Sequence, residues 1–180
     1  MKKFILFICF SFLLSCASTN TNIKPVVTKQ PNPAVAITTA TSQKINWQNH
    51  TDSIYVQAEV FKKVVLIYFS SDTCKPCVTF EETMLKDNNI SKKINKNFVP
   101  VLIKHYGNDE NFDFEQFEKY IKLYNVKSIP TVIALLPDKK VIWNLSAFTS
   151  FLTKENFSEL LKLAVIVNGL SNSNLKISSK

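Results

Sequence analysis

Residues 64–77 read VVLIYFSSDTCKPC, and this stretch decides the fold. Val64 to Phe69 is a continuous β-prone run, the pattern of a strand buried on both faces. Past Thr73 the period changes. Cys77, Phe80, Glu81 and Met84 recur at helical spacing, so residues 74–86 are expected to form a helix. A strand feeding a helix that opens on a cysteine has chemical content. The unpaired N–H groups and positive dipole end of a helix N-terminus favour a thiolate. The spacing of Cys74 and Cys77 sets the second sulfur one turn along, within disulfide reach. Cys74 is therefore expected as the exposed nucleophile and Cys77 as the deeper thiol that resolves a mixed disulfide. Lys75 adds positive charge beside the nucleophile. Pro76 loses little there, because early helical N–H groups lack intrahelical partners.

On either side the chain alternates short apolar segments with helical ones. Ile45-Asn46-Trp47 is a short strand candidate, and residues 52–62 carry Ile54, Ala58 and Phe61 on one helical face. A helical turn is expected around Ser91 to Asn95, and Phe98 to Ile103 reads as a buried strand broken only by Pro100. After a polar loop at 105–111 comes a helix whose apolar face is Phe114, Phe117, Ile121 and Tyr124. Thr131 to Leu136 and Val141 to Leu145 are strands joined by the turn Pro137-Asp138-Lys139-Lys140. Thr153 caps a last helix with Phe157, Leu160, Leu161 and Ala164 inward, and Asn168-Gly169 is its expected end. The class is α/β, a central mixed sheet flanked by helices in the order β-α-β-α-β-α-β-β-α. Helices between strands imply parallel crossovers, and the final hairpin adds antiparallel strands.

The first 44 residues have a different character. Lys2 and Lys3 precede an apolar run from Phe4 to Leu14, which is too short to span a bilayer and has the length of a signal-peptide core. Leu13-Leu14-Ser15-Cys16 resembles the lipobox of bacterial lipoproteins, with Leu14 bulkier than the usual residue. That resemblance implies cleavage before Cys16, lipid on Cys16, and loss of Cys9 with the leader. Residues 1–15 are thus expected as a lipoprotein signal peptide. Residues 16–44, rich in Ser, Thr, Asn, Gln and Pro, are expected as a lipidated disordered tether. The folded domain would span 45–168 and a polar tail 169–180. The expected location is the cell envelope, on the periplasmic side, where disulfides form and persist.

The composition excludes little else. The net charge is +8 and every basic residue is Lys, but the lysines are scattered and form no aromatic-interleaved stripe, so nucleic acid is not an expected partner. A zinc site needs four ligands, and the folded region adds only His50 and His105, far apart in sequence. A copper site using both thiols and one histidine stays open on grounds of softness. A purely structural disulfide would normally close a longer loop. Redox exchange is favoured because motif, strand-to-helix context and compartment agree.

The chain resembles the thioredoxin superfamily, above all the thioredoxin-like C-terminal domain of the thiol:disulfide interchange protein DsbD and related exported lipoproteins. The likeness covers about residues 45–165. It is carried by VVLIYFSSDTCKPC, the following FEETMLKD, and the segment YNVKSIPTVIAL. It implies a dithiol enzyme that needs no cofactor beyond Cys74 and Cys77. It also implies that Pro130 is a cis-proline opposite them, with Ile129 before it presenting backbone to an extended substrate. Implied partners are disulfide-containing exported proteins, a membrane electron donor, and the membrane itself through Cys16. The sequence departs from the family pattern where the usual Trp is Thr73 and the usual buried acid is Tyr68. Glu81, one turn beyond Cys77 on the same helical face, either accepts the resolving thiol's proton instead, as the resemblance implies, or stands as a solvated surface glutamate. Ala147 falls near a position where relatives carry Gly beside the substrate groove. The alternative function is a thioredoxin-like lipoprotein that binds copper or scaffolds a partner without turnover.

Overall fold

In the computed structural model, residues 43–107, 113–146 and 152–178 are described, the last five as backbone. Cys9, Cys16, Ala147, the leader and all of the tether but Gln43 and Lys44 lie outside the described residues. The elements are α1 (Ser53–Val60), β1 (Val64–Ser71), α2 (Lys75–Phe80), a π turn (Glu81–Leu85), α3 (Asn88–Asn97), β2 (Phe98–His105), α4 (Phe114–Leu123), β3 (Thr131–Leu135), β4 (Val141–Ser146) and α5 (Lys154–Ser178). The sheet order is β2-β1-β3-β4. β1 pairs parallel with β2 and antiparallel with β3, and β3 pairs antiparallel with β4. This is the mixed α/β sheet anticipated from the sequence.

Every residue of β1 is buried, as its unbroken apolar run requires of a central strand. Its alternate side chains serve two cores. Val64, Leu66 and Tyr68 pack with Phe80, Met84, Ile94, Phe157 and Leu161 from α2, the π turn, α3 and α5. Val65, Ile67 and Phe69 face Ile54, Tyr55 and Ala58 of α1 and the inner side of α4. Helices thus cover both faces of the sheet. Pro100 sits in β2 without breaking it. Its carbonyl accepts from Gln48 N at 2.9 Å, so its imide nitrogen faces the outer edge and the ladder to β1 is intact.

Five details depart from the sequence reading. Phe61, read onto one helical face with Ile54 and Ala58, is the C-cap of α1 and is exposed. Ile45-Asn46-Trp47 is not a strand. One parallel bridge, Gln48 to Val101, remains, and the Asn95 side chain holds the segment by accepting from Asn46 N at 2.9 Å and donating to Lys44 O at 2.9 Å. Phe114 is exposed rather than inward. It stands at the first turn of α4, where its ring meets the edge of His105, while Phe117, Tyr120, Ile121 and Tyr124 pack on the core. The helix beginning at Lys75 widens into a π turn at Glu81, closed by Lys86 N donating to Glu81 O at 3.0 Å. Finally, α5 runs through Gly169 to Ser178, because Gly169 does not adopt the left-handed conformation that would stop it. Asn168 is a buried tie instead of a cap, donating to Lys62 O at 3.0 Å.

Candidate active site

Cys74 occupies the N-cap of α2, in extended backbone, three residues beyond the carboxyl end of the central strand. Its sulfur accepts from Cys77 N at 3.2 Å, satisfying one of the orphan N–H groups of the first turn. Pro76 lies within that first turn, where its missing N–H costs nothing. Cys74 and Cys77 form a disulfide, with Cα atoms 5.2 Å apart. The two sulfurs belong to different environments: Cys74 is partly exposed and Cys77 is fully buried. Lys75 is exposed beside them. The Ile129–Pro130 bond is cis, and the Ile129 carbonyl oxygen lies 3.9 Å from Cys74 Sγ. A segment distant in sequence therefore presents a backbone acceptor at the more exposed of the two sulfurs.

Behind Cys77, at the rim of the apolar core, is a polar cluster. Glu81 begins the π turn. Its Oε1 accepts from Ser70 Oγ at 2.8 Å and from Tyr68 OH at 3.2 Å, and Lys104 Nζ lies 3.9 Å away. Tyr68 OH also lies 3.4 Å from the Cys77 carbonyl oxygen. Burial pushes the Tyr68 phenol far above its ordinary pKa, so it stays protonated and serves as a donor. A cleft of about 820 Å³, lined in part by Trp47, Tyr68, Glu81, Leu85, Leu102 and Lys104, connects this carboxylate to solvent. The site thus contains one carboxylate a turn below the buried sulfur, held by neutral donors and open to water on its far side.

Ser70 and Lys104 did not stand out in the sequence. They meet because they are register partners on adjacent parallel strands, which puts both on the face that carries Tyr68 and Leu102. No local pattern in the sequence carries that register. The two histidines behave differently from each other. His50 Nε2 is hydrogen-bonded to Tyr124 OH at 2.6 Å, and burial lowers its pKa. His105 Nδ1 lies 3.5 Å from Ser71 Oγ, and its ring packs on Phe117. Among the described residues, no three His, Cys, Asp or Glu side chains come together as a metal site. Likewise, among those residues no helix is long and apolar enough to cross a membrane.

A family model described as "Thioredoxin-like domain" matches residues 52–164. Among solved structures, the chain is similar to DsbH oxidoreductase, at 12% identity and a TM-score of 0.60, over 76% of this chain and 91% of that one. It is also similar to a thioredoxin from Thermus thermophilus, at 17% identity and a TM-score of 0.57, over 72% and 94% of the two chains. Likeness at these identities is a likeness of fold. No curated protein matches the sequence.

Proposed function

Because the chain belongs to the thioredoxin-like domain family, we propose that it is an exported, membrane-anchored thiol:disulfide oxidoreductase that reduces, or relays electrons to, the disulfides of envelope proteins. The observation that carries this reading is the unequal exposure of two bonded sulfurs at a helix N-terminus, Cys74 reachable and Cys77 fully buried. A passive staple has no use for that asymmetry, whereas stepwise exchange depends on it.

In the reduced protein, the Cys74 thiolate attacks one sulfur of a client disulfide. A client–Cys74 bond forms, the client's own S–S bond breaks, and its other sulfur leaves as a thiolate and takes a proton. Cys77 then loses its proton to Glu81, which the Ser70 and Tyr68 hydroxyls hold one turn away. The Cys77 thiolate attacks Cys74 Sγ, forming the Cys74–Cys77 disulfide and expelling the client's second sulfur. The client leaves as a dithiol, having gained two electrons and two protons, and Glu81 passes its proton to the cleft water. Ile129 positions the client by offering its backbone beside Cys74, with Pro130 holding that turn. Lys75 stabilises the Cys74 thiolate through space. The electrons travel in the sulfur–sulfur bond, so the cycle calls for no cofactor. A membrane donor of the dithiol class restores the reduced pair. The basic–apolar leader ending at Cys16 supports lipid anchoring at the cell envelope, with the domain facing the periplasm.

The test is trapping. In cells, a Cys77→Ser chain should accumulate mixed disulfides with exported proteins, dissolved by reductant, while Cys74→Ser should accumulate none. If Cys77→Ser traps no partner and the wild-type disulfide resists both glutathione and dithiothreitol, the exchange reading is wrong.

A further inference from the structure

The loop that carries Cys74 is held from the side by the exit of the neighbouring strand. β1 and β2 end level with each other, at the register pair Ser71 and His105. Beyond that pair the two chains stay joined. Asp72 N donates to His105 O at 3.2 Å, and the Asp72 carboxylate accepts from Gly107 N at 3.0 Å. Within the loop, Thr73 Oγ1 lies 3.1 Å from Ser71 Oγ, and Cys74 N donates to Ser71 O at 3.4 Å. The fit is close. A Cβ added to Gly107 would stand 2.9 Å from Thr73 Cγ2, nearer than such atoms approach. Gly107 has no positive φ, so what this position requires is space rather than conformational freedom. The Gly107 N–H also holds the Asp72 carboxyl below its usual pKa, so the acceptor is charged at neutral pH.

We propose that Asp72, Thr73 and Gly107 form a latch that positions Cys74, fixing the N-cap geometry through which its thiolate meets the Cys77 N–H. Where the family's usual Trp is absent, this chain braces the nucleophile from the β2 exit. The three are positioning residues, since none touches the reacting sulfurs. The inference rests on the exchange reading above and names what regulates the reactivity of that same sulfur.

A carboxylate two residues before a thiolate has two separable effects. Its charge opposes ionisation of Cys74, while its hydrogen bond orders the loop. Asp72→Asn removes the charge and keeps an oxygen for Gly107 N–H, whereas Asp72→Ala removes both. The full chain carrying Cys9→Ser and Cys16→Ser is reduced, and the rate of Cys74 alkylation by iodoacetamide is followed against pH. Asp72→Asn should alkylate at least as fast as the parent at neutral pH. Asp72→Ala should be slower by roughly fivefold, the effect of losing one ordering hydrogen bond, with its pH profile displaced upward. Gly107→Ala should slow alkylation to a similar degree. Adding Thr73→Ser, which deletes only the clashing Cγ2, should restore the parent rate and pH profile. The latch is refuted if Asp72→Ala matches Asp72→Asn, or if Gly107→Ala leaves the profile unmoved, or if Thr73→Ser does not rescue it. A parent that alkylates no faster than a free thiol at neutral pH sinks the exchange reading itself, a result distinct from any of these.

Discussion

Replacing Glu81 with glutamine should separate the two halves of the proposed catalytic cycle. The glutamine oxygen can still accept from Ser70 and Tyr68, whose hydroxyls now lie 2.8 and 3.2 Å from the carboxylate oxygen. The local fold is therefore kept, and the substitution removes only the base and the charge opposite Lys104. At 3.9 Å that ion pair has a Coulomb energy of about 4 kcal/mol at an effective dielectric constant of ~20. The side chains are 31% and 21% exposed, so after screening the net loss of stability should be about 1 kcal/mol or less. The kinetic effect should be larger. A positioned general base contributes about 10²–10⁴ in rate. Water in the adjoining cleft can replace part of that, so the resolving step should slow by about ten- to a hundredfold, at or below the lower end of that range. An aromatic disulfide that releases a coloured thiol reads both steps. Attack by Cys74 releases the first equivalent, and attack by Cys77 on the mixed disulfide releases the second. In the chain with Cys9 and Cys16 replaced by serine, Glu81→Gln should leave the first phase unchanged and slow the second. Equal slowing of both phases would mean that Glu81 merely supports the helix. An unchanged second phase would remove it from proton transfer altogether.

Two further outcomes are expected. His50 is held neutral by burial, with its ring against Tyr120 and its Nε2 on Tyr124. Its folded-state pKa is depressed, so its contribution to stability is full above the unfolded value of about 6.5. That contribution is lost as pH falls through the folded value. Urea midpoints should decline between about pH 7.5 and 5 in the parent and decline less in His50→Gln; parallel profiles would show that His50 does not govern this window. For the anchor, the parent should sediment with membranes and incorporate labelled fatty acid, and Cys16→Ser should lose both properties. A parent that remains in the soluble fraction would confine the proposal to a secreted or cytosolic exchange protein.

Under the proposed mechanism, the polar cluster supplies the acid that the central strand lacks. Tyr68 occupies that place, and burial keeps its phenol protonated, so it cannot accept a proton from Cys77. The carboxylate comes instead from the next element, and the phenol turns toward it as a donor. The π turn begins at Glu81, and such turns often mark functional positions in helices. The carboxylate thereby sits at the rim of the core rather than within it, in the lining of the cleft.

Much of this architecture was legible in the sequence because it rests on local physics. The unbroken run from Val64 to Phe69 had to be a strand buried on both faces, and the change of period at Cys74 had to open a helix. Those two facts place a reachable sulfur at an N-cap with its partner a turn behind. Pro130 was legible through family likeness. Ile45 to Trp47 misled, because an apolar alternation cannot reveal that an Asn95 side chain satisfies the segment's backbone in place of a neighbouring strand. Gly169 misled because a glycine ends a helix only where the chain turns left-handed, and here the chain has no such turn. Ser70 with Lys104, and Asp72 with Gly107, were invisible because each pair is far apart in the chain and becomes adjacent only through the register of β1 on β2. The sequence by itself determined which two sulfurs meet at the mouth of the helix, since a helix N-terminus is built from consecutive residues. Tertiary structure alone decided what surrounds those sulfurs and which side chains gather around Glu81 behind them, since strand register is settled by the burial of whole faces rather than by any single stretch of chain.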